Sequence, residues 1–248
     1  MKETGTKKTR LDKLIFDKGL VESRERARAA IMEGNVQVNG VVVDKAGSLV
    51  KPDAQIEVLY KMPYVSRGGL KLEQAIKEFN INVSGKRAMD VGASTGGFTD
   101  CLLQNGAMKV IAVDVGYGQF SWSLRQDERV VLIEKTNIRY LPNDIIPYKL
   151  DIITIDVSFI SLLKVIPKIL EFLKPSGEVV ALIKPQFEAE RKDIGKGGVV
   201  KDDKKRLEIV ENIKNELLGM KLDVIGVTES PIKGPKGNVE YLIYFRKP

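Results

Sequence analysis

The sequence predicts an α/β chain, in which a doubly wound, mostly parallel sheet follows a small α+β module. Strand and helix signals alternate from residue 67 to the carboxyl end. A glycine-rich turn directly follows the first strand of that region, and two short helices and a hairpin signal precede it. In sheets of this class, ligands bind at the carboxyl ends of the strands.

The first sixty residues predict the small module. A break at Gly19 separates two helices, and Ser23 is the expected N-cap of the second helix. The pair Asn39-Gly40, flanked by alternating valines, predicts a β-hairpin. One more short strand is expected at residues 56–60.

The remaining elements lie beyond a linker. Residues 61–66 predict this linker, because Pro63 prevents regular strand pairing. We therefore expect residues 1–60 and 67–248 to form two domains. Strands of the second domain are expected at residues 87–91, 110–114, 130–134, 151–156, 178–184, 223–228 and 240–245, and helices at about 70–79, 99–104, 162–173 and 203–218.

Composition restricts the available chemistry. The chain has one cysteine, Cys101, and no histidine, which excludes an internal disulfide, a Cys/His zinc site and a histidine-dependent triad. An acid or base must therefore be Lys, Asp, Glu, Tyr or Cys. The net charge of +7 favours an anionic partner. The amino terminus is polar, and the apolar runs are too short to span a bilayer, so a cytoplasmic protein without a membrane partner is expected.

Several interpretations compete for the glycine-rich turn at residues 90–98. Its G-x-S-x-G pattern matches a nucleophile elbow, but that site requires a histidine. A dinucleotide site requires glycine where Ser94 stands, and a tight turn can also serve packing alone. An S-adenosylmethionine site explains more residues, because Asp114 ends the next strand, 22 residues after Gly92, and can accept from ribose hydroxyls.

The small module resembles a known RNA-binding motif. Residues 10–12, 19–20, 23–24, 34–40 and 53–58 are similar to the αL motif first known from ribosomal protein four of the small subunit. Solvated basic helices are the simpler interpretation of these charges. The resemblance implies contacts to RNA phosphates from Arg10, Lys13, Arg24 and Arg28.

Four further motifs resemble the haemolysin A (TlyA) family: residues 68–71, 90–100, 156–161 and 184–188. Members are two-domain ribosomal RNA 2′-O-methyltransferases with a catalytic domain similar to the FtsJ (RrmJ) heat-shock methyltransferase. The resemblance implies a Rossmann-like class I methyltransferase domain with a seven-stranded sheet. It also implies S-adenosylmethionine as cofactor, a cytidine 2′-hydroxyl of small- or large-subunit ribosomal RNA as substrate, no metal, and a monomer.

Family membership implies a catalytic tetrad of Lys71, Asp156, Lys184 and Glu240. Lys184 is the candidate base, because a lysine near a second ammonium and partly removed from water can lose its proton near neutral pH. The negative charges of Asp156 and Glu240 favour the protonated lysine and so oppose this assignment. The sequence leaves open how the four residues divide the roles of base, orientation and substrate positioning. Arg67 and the basic segment 184–206 are further candidates for RNA contacts. The residues assigned to the cofactor are Asp90, Gly92, Ala93, Ser94, Thr95, Gly96, Gly97, Phe98, Asp114, Val115, Asn137 and Asp156.

Two other functions are considered. A non-catalytic RNA-binding or ribosome-assembly factor could keep the same fold, although the complete tetrad argues against it. A membrane-lytic activity, which the family name suggests, requires an apolar or strongly amphipathic inserting segment, and the sequence contains none.

Overall fold

The computed structural model describes residues 8–32, 34–59, 62–190, 193–195 and 197–248. The chain divides into two compact units, Met1–Pro63 and Tyr64–Pro248. Residues 64–66, which the sequence assigns to the linker, belong to the second unit, where Tyr64 is buried in the core. Tyr60, at the end of an expected strand, lies outside the described residues.

The first unit packs two helices on short strands. Its core contains Leu11 and Ile15 from the first helix, Ala27 and Ile31 from the second helix, and Val36. The hairpin predicted at Asn39-Gly40 is confirmed, and both residues have positive φ, 51° and 80°. The elements are β1 (Thr9–Arg10), α1 (Leu11–Asp17), α2 (Arg24–Met32), β2 (Val36–Val38), β3 (Val41–Val42), β4 (Leu49–Val50) and β5 (Ile56–Val58).

The second unit contains a seven-stranded sheet in the order β11-β12-β10-β9-β6-β7-β8. β12 runs antiparallel to both of its neighbours, β10 and β11, whereas the neighbouring strands from β10 to β8 pair in parallel. The predicted doubly wound, mostly parallel sheet is therefore confirmed. Its strands are β6 (Arg87–Val91), β7 (Lys109–Val113), β8 (Val130–Ile133), β9 (Leu150–Ile155), β10 (Leu173–Ile183), β11 (Asp223–Glu229) and β12 (Tyr241–Arg246).

Helices cover both faces of this sheet. Ala88 of β6 belongs to the same apolar cluster as α3 and α4, whereas its neighbour Met89 belongs to the cluster of α6 and α8. Within the described residues, no helix is long and apolar enough to cross a membrane. The helices are α3 (Gly68–Glu78), α4 (Gly97–Gln104), α5 (Trp122–Arg125), α6 (Ile166–Ile169), α7 (Pro185–Glu188) and α8 (Asp203–Gly219).

The prediction of one long helix at residues 162–173 is wrong. A 3₁₀ turn at Leu162–Lys164 precedes the single-turn helix α6, and β10 already begins at Leu173. Pro167 explains the difference, because it lacks an N–H group and its ring would clash with the carbonyl group four residues earlier. The spacing of apolar residues does not predict the short helices α5 and α7.

Candidate functional site

A cleft of about 250 Å³ opens at the carboxyl ends of the central strands of the second unit. The chain proceeds from β6 outward to β7 and β8 and then returns to β9 on the other side of β6. Such a reversal leaves a crevice between the two connections, which is the usual ligand position in this class of sheet. The residues lining the cleft are Ser66, Arg67, Gly68, Lys71, Gly92, Ala93, Ser94, Thr95, Gly97, Phe98, Asp156, Ile232, Lys233, Gly234 and Pro235.

The glycine-rich turn after β6 forms one wall of the cleft. Gly92 has φ of 85°, and a Cβ atom there would overlap the carbonyl oxygen of Asp156. Gly96 has φ of 96° and lies against Leu124, so it also excludes a side chain. The backbone N–H groups of Gly92 and Ala93 both donate to the carbonyl oxygen of Val113, at 2.8 and 3.2 Å. These contacts fix the turn between β6, β7 and β9.

Asp90 lies beneath this turn and does not line the cleft. Its carboxyl group is fully buried and accepts from the Thr99 hydroxyl at 2.7 Å and from the Thr154 hydroxyl at 3.3 Å. Burial raises the pKa of Asp90 to about 7, with a smaller upward contribution from the negative charge of Asp156 and a lowering effect from the two threonines. Asp90 therefore supports the glycine-rich turn from inside the sheet.

The other predicted cofactor residues differ in their contacts. The Asp114 carboxylate accepts from the N–H groups of Ser94 at 2.7 Å and Gly116 at 2.6 Å, and so connects the glycine turn to the loop after β7. Val115 is mostly exposed. Asn137 accepts from the N–H group of Arg139 at 3.1 Å and caps a 3₁₀ turn. None of these three lines the cleft.

The four tetrad residues form two ion pairs. In the first, Nζ of Lys71 lies 2.6 Å from Oε2 of Glu240, whose side chain is fully buried. Nε2 of Gln186 donates to the other oxygen of Glu240 at 3.3 Å. Gly234 covers this carboxylate so closely that a Cβ atom would overlap it. Both oxygens of Glu240 are therefore engaged.

In the second pair, Nζ of Lys184 lies 2.6 Å from Oδ1 of Asp156 and 2.8 Å from the hydroxyl of Ser158. The close approach to Asp156 is not aligned as a hydrogen bond, and the buried Oδ1 has no other hydrogen-bond donor among the described residues. Both lysine side chains are 10% exposed. Each pair presents one member to the cleft, Lys71 and Asp156. One cation and one anion of the tetrad therefore line the cleft.

Glu188 attaches the segment after Asp156 to α7. Its carboxyl group accepts from the N–H group of Leu162 at 2.8 Å, and burial raises its pKa above the usual range. Phe159, in the same segment, has φ of 64° and is 90% exposed, with its ring 4.9 Å from that of Phe187. The segment is thus held in a conformation that non-glycine residues seldom adopt.

Three of the predicted RNA contacts converge in the first unit. The guanidinium groups of Arg10, Arg24 and Arg28 all donate to the carboxylate of Asp12, at 3.0 to 3.1 Å. The exposed residue Lys13 contributes its backbone N–H to the same carboxylate, at 2.9 Å. Arg67 belongs to the second unit and lines the cleft.

Sequence reasoning missed several residues of these sites. Ser158 and Gln186 stand inside motifs, but nothing in the pattern distinguished them from their neighbours. The loop at residues 232–235 gave no signal except its glycine and proline content. Asp12 lies inside the αL-like motif of the first unit, but its residue type alone indicates no function. Among the described residues, no group of three or more acidic or cysteine side chains is placed to hold a metal ion.

A seven-stranded sheet of this order, with a glycine turn after its first strand, defines the methyltransferase class of α/β domain. Residues 64–247 match the FtsJ-like methyltransferase family, and residues 9–56 match the S4 domain. The chain belongs to the haemolysin A (TlyA) family of FtsJ-like methyltransferases. This confirms the family that the sequence motifs indicated.

Relatives are similar over both units. The protein named Hemolysin A of Brachyspira hyodysenteriae is 47% identical over 95% of this chain and 99% of its own length. The 16S/23S rRNA (cytidine-2′-O)-methyltransferase TlyA of Mycobacterium tuberculosis is 40% identical over 97% of this chain and 90% of its own length. A solved structure of a hemolysin-like protein from Streptococcus thermophilus, 43% identical, covers 98% of this chain and 90% of its own with a TM-score of 0.77.

More distant structures share the fold alone. An S-adenosylmethionine-dependent methyltransferase from Mesorhizobium loti is 15% identical, with a TM-score of 0.51 over 70% of this chain and 96% of its own. At that identity, the similarity concerns the arrangement of the sheet and helices.

Proposed function

We propose that this protein transfers a methyl group from S-adenosylmethionine to a ribose 2′-hydroxyl of ribosomal RNA. The observation that carries the proposal is the presence of two lysine–carboxylate pairs, Lys71–Glu240 and Lys184–Asp156, beside one cleft of a methyltransferase fold. The relatives named as ribosomal RNA (cytidine-2′-O)-methyltransferases support the same substrate class and favour cytidine as the modified nucleotide.

The residues around the cleft fit S-adenosylmethionine. Gly92 and Gly97 leave no room for a Cβ atom, so backbone forms the wall next to the amino-acid part of the cofactor. The Asp114 carboxylate accepts from two backbone N–H groups and from the side-chain amide of Gln119, and a carboxylate has about four accepting positions, so a ribose hydroxyl can still donate to it. Ala93, Ser94, Thr95 and Phe98 complete this wall. When bound, the cofactor supplies a methyl group already activated by the sulfonium.

The chemical task of the protein is then to align the ribose and to accept its proton. Alignment in a reactive geometry lowers the barrier by several kcal/mol (~7–11 at the extreme), so a weak base suffices. We assign Lys184 as the proton acceptor, with Ser158 and Asp156 orienting its amino group. Glu240 and Gln186 hold Lys71 at the cleft, where its charge positions the hydroxyl oxygen.

The first unit holds the RNA. Its S4 domain carries Arg10, Arg24 and Arg28 on one patch, with Lys13 beside it. Arg67 at the cleft adds a cation near the target ribose. Phosphate contacts of this kind fix position and salt dependence without reading bases. The target nucleotide is therefore selected by the shape of the folded RNA.

Two measurements test the proposal. Calorimetry with S-adenosylmethionine should detect one binding site, and tritium from the labelled methyl group should appear in ribosomal RNA when ribosomal subunits are supplied. Binding of subunits without cofactor binding or transfer would indicate a non-catalytic RNA-binding factor. Release of dye from lipid vesicles, without methyl transfer, would favour a membrane-lytic protein. Either result would overturn the proposal.

A further inference from the structure

A single buried carboxylate connects the basic side chains of the first unit. Asp12 is completely buried, and both of its oxygens accept hydrogen bonds from guanidinium groups. Arg10 contributes two donors, whereas Arg24 and Arg28 contribute one each. These arginines come from the residue before α1 and from two positions one turn apart on α2. One acidic group therefore joins the two helices of the unit.

The charges of this group are unequal. A buried carboxylate is unfavourable unless it is paired and hydrogen-bonded, and the arginines hold the pKa of Asp12 far below its usual range, with Arg10 contributing most. Three guanidinium groups surround one carboxylate, which leaves two positive charges in excess. Each arginine has five N–H donors, of which at most two donate to Asp12. The side chains of Arg10, Arg24 and Arg28 remain 48%, 39% and 48% exposed. Apart from the buried Nε of Arg24, the guanidinium donors that do not contact Asp12 therefore remain within reach of an external anion.

We propose that Asp12 is a positioning residue for RNA binding, which fixes Arg10, Arg24 and Arg28 as one preorganised cluster for backbone phosphates. The inference rests on the proposed function, because it takes RNA as the partner of this unit. Without the carboxylate, three like charges repel one another and each flexible side chain must be ordered when RNA binds. With it, that ordering is complete before the RNA arrives.

For the Asp12→Asn protein, the proposal predicts a change in RNA affinity opposite to the one that net charge alone predicts. Asp12→Asn removes a negative charge from an RNA-binding surface, and long-range electrostatics alone predicts tighter binding. If Asp12 positions the arginines, RNA affinity should instead fall by about tenfold or more, because more than one phosphate contact is weakened. The slope of log affinity against log salt should become shallower by about one or two.

Glu22→Gln is the matched control. Glu22 lies at the surface, immediately before α2, and pairs only with Arg26 at 3.0 Å among the described residues. This variant changes the net charge by the same amount as Asp12→Asn. Its RNA affinity should be equal to or tighter than that of the unchanged protein.

The experiment measures binding of the full-length variants to purified ribosomal subunits by filter binding across a salt series. Circular dichroism melts check that the first unit stays folded, and calorimetry with S-adenosylmethionine checks the second unit. A mutant cycle separates positioning from stability: in a background carrying Arg24→Gln and Arg28→Gln, replacing Asp12 by Asn should produce a smaller further loss, because only Arg10 is then left to be positioned. A loss of equal size in both backgrounds would contradict the proposal.

A second variant serves if Asp12→Asn unfolds the first unit. Arg24→Lys keeps the positive charge but replaces the planar guanidinium that donates to Asp12 at 3.1 Å by a more flexible ammonium group. It should weaken RNA binding by several-fold at unchanged net charge. Asp12→Asn or Arg24→Lys proteins that bind subunits as tightly as the unchanged protein would overturn this inference alone. An unchanged protein that neither binds subunits nor methylates them would overturn the proposed function.

Discussion

The two lysines of the candidate active site differ in how completely their partners are used. Both oxygens of Glu240 accept hydrogen bonds, from Lys71 and from Gln186. Oδ1 of Asp156, in contrast, has no aligned donor although Lys184 is adjacent. The saturated carboxylate of Glu240 holds Lys71 in place, whereas Lys184 is held less firmly, because its contact to the buried Oδ1 of Asp156 is not an aligned hydrogen bond among the described residues. This difference favours the Lys184–Asp156 pair as the place of proton transfer.

Replacement of Lys184 by Arg tests this assignment. Guanidinium keeps the positive charge but does not deprotonate in proteins. Turnover should therefore fall by about 10²- to 10⁴-fold, the usual contribution of a general base, while the affinities for S-adenosylmethionine and RNA stay near those of the unchanged protein. Single-turnover methyl transfer, with calorimetry as the control, measures both quantities.

The pH profile provides an independent result from the same variant. The single-turnover rate of the unchanged protein should rise with pH, because only a neutral amine can accept the ribose proton, and the Lys184→Arg protein should lack this rise. An active arginine variant with an unchanged profile would exclude Lys184 as the base. Solvent, Lys71, Asp156 or Glu240 would then be the acceptor.

Asp90 should make the stability of the second unit depend on pH. Its pKa is about 7 in the folded protein and about 4 when unfolded, so the folded state binds the proton more tightly. The favourable contribution is complete below about pH 4 and is lost as pH rises to about 7, amounting to roughly 3–5 kcal/mol. Urea unfolding at several pH values should show this loss, and Asp90→Asn should remove it. A constant difference between the two proteins across pH 4–8 would contradict the assigned pKa.

Residue types at strand ends predicted the charged members of the site, but not their neutral partners. Asp156, Lys184 and Glu240 stood out because charges at the ends of buried strands, together with the family motifs, indicate a crevice, whereas Lys71 lies on a helix and was indicated by its motif alone. Ser158 and Gln186 carry no charge, and polar residues of these types are common at any surface. Their roles depend on which atoms the fold brings within 3.3 Å, and no spacing along the chain encodes that distance.

Among the elements, the turn between β6 and α4 determines the geometry of the cleft. Gly92→Ala should strain a residue at φ of 85° and also push a methyl group against the carbonyl oxygen of Asp156. Gly85→Ala is the matched control, since Gly85 has φ of 73° with no atom near its Cβ position. Gly92→Ala should therefore destabilise the protein by about 1–3 kcal/mol more than Gly85→Ala and abolish cofactor binding. Equal thermal unfolding of both variants would show that the close approach has no energetic effect.

The strands were the elements that sequence predicted best. Buried parallel strands form continuous apolar runs, as in Lys109–Val113 and Leu150–Ile155, and turn residues bound them. The segment at residues 162–173 has the same apolar content at helical spacing, yet Pro167 divides it into two short turns. The helix predicted at residues 203–218 is confirmed as α8. Asp202 caps it, with its carboxylate 2.8 Å from the N–H group of Lys204.

For the whole molecule, the division into two compact units predicts separable functions. Deletion of residues 1–60 should leave a folded domain that binds S-adenosylmethionine, because Tyr64 and the rest of the core of the second unit remain. Methylation of ribosomal subunits should fall strongly, since the arginine cluster around Asp12 is lost. Calorimetry and tritium transfer on the truncated protein measure the two properties. Full activity on subunits would show that the first unit is dispensable for RNA recognition.

The central claim concerns the bond that is formed, a methyl ether at a ribose 2′-oxygen of ribosomal RNA. Mapping of 2′-O-methylated nucleotides, in ribosomal RNA from cells with and without this protein, tests it most directly. We predict at least one fully modified nucleotide that loses its methyl group when the protein is absent and regains it with the unchanged protein, but not with Lys184→Ala. Identical 2′-O-methylation maps with and without the protein would contradict the account.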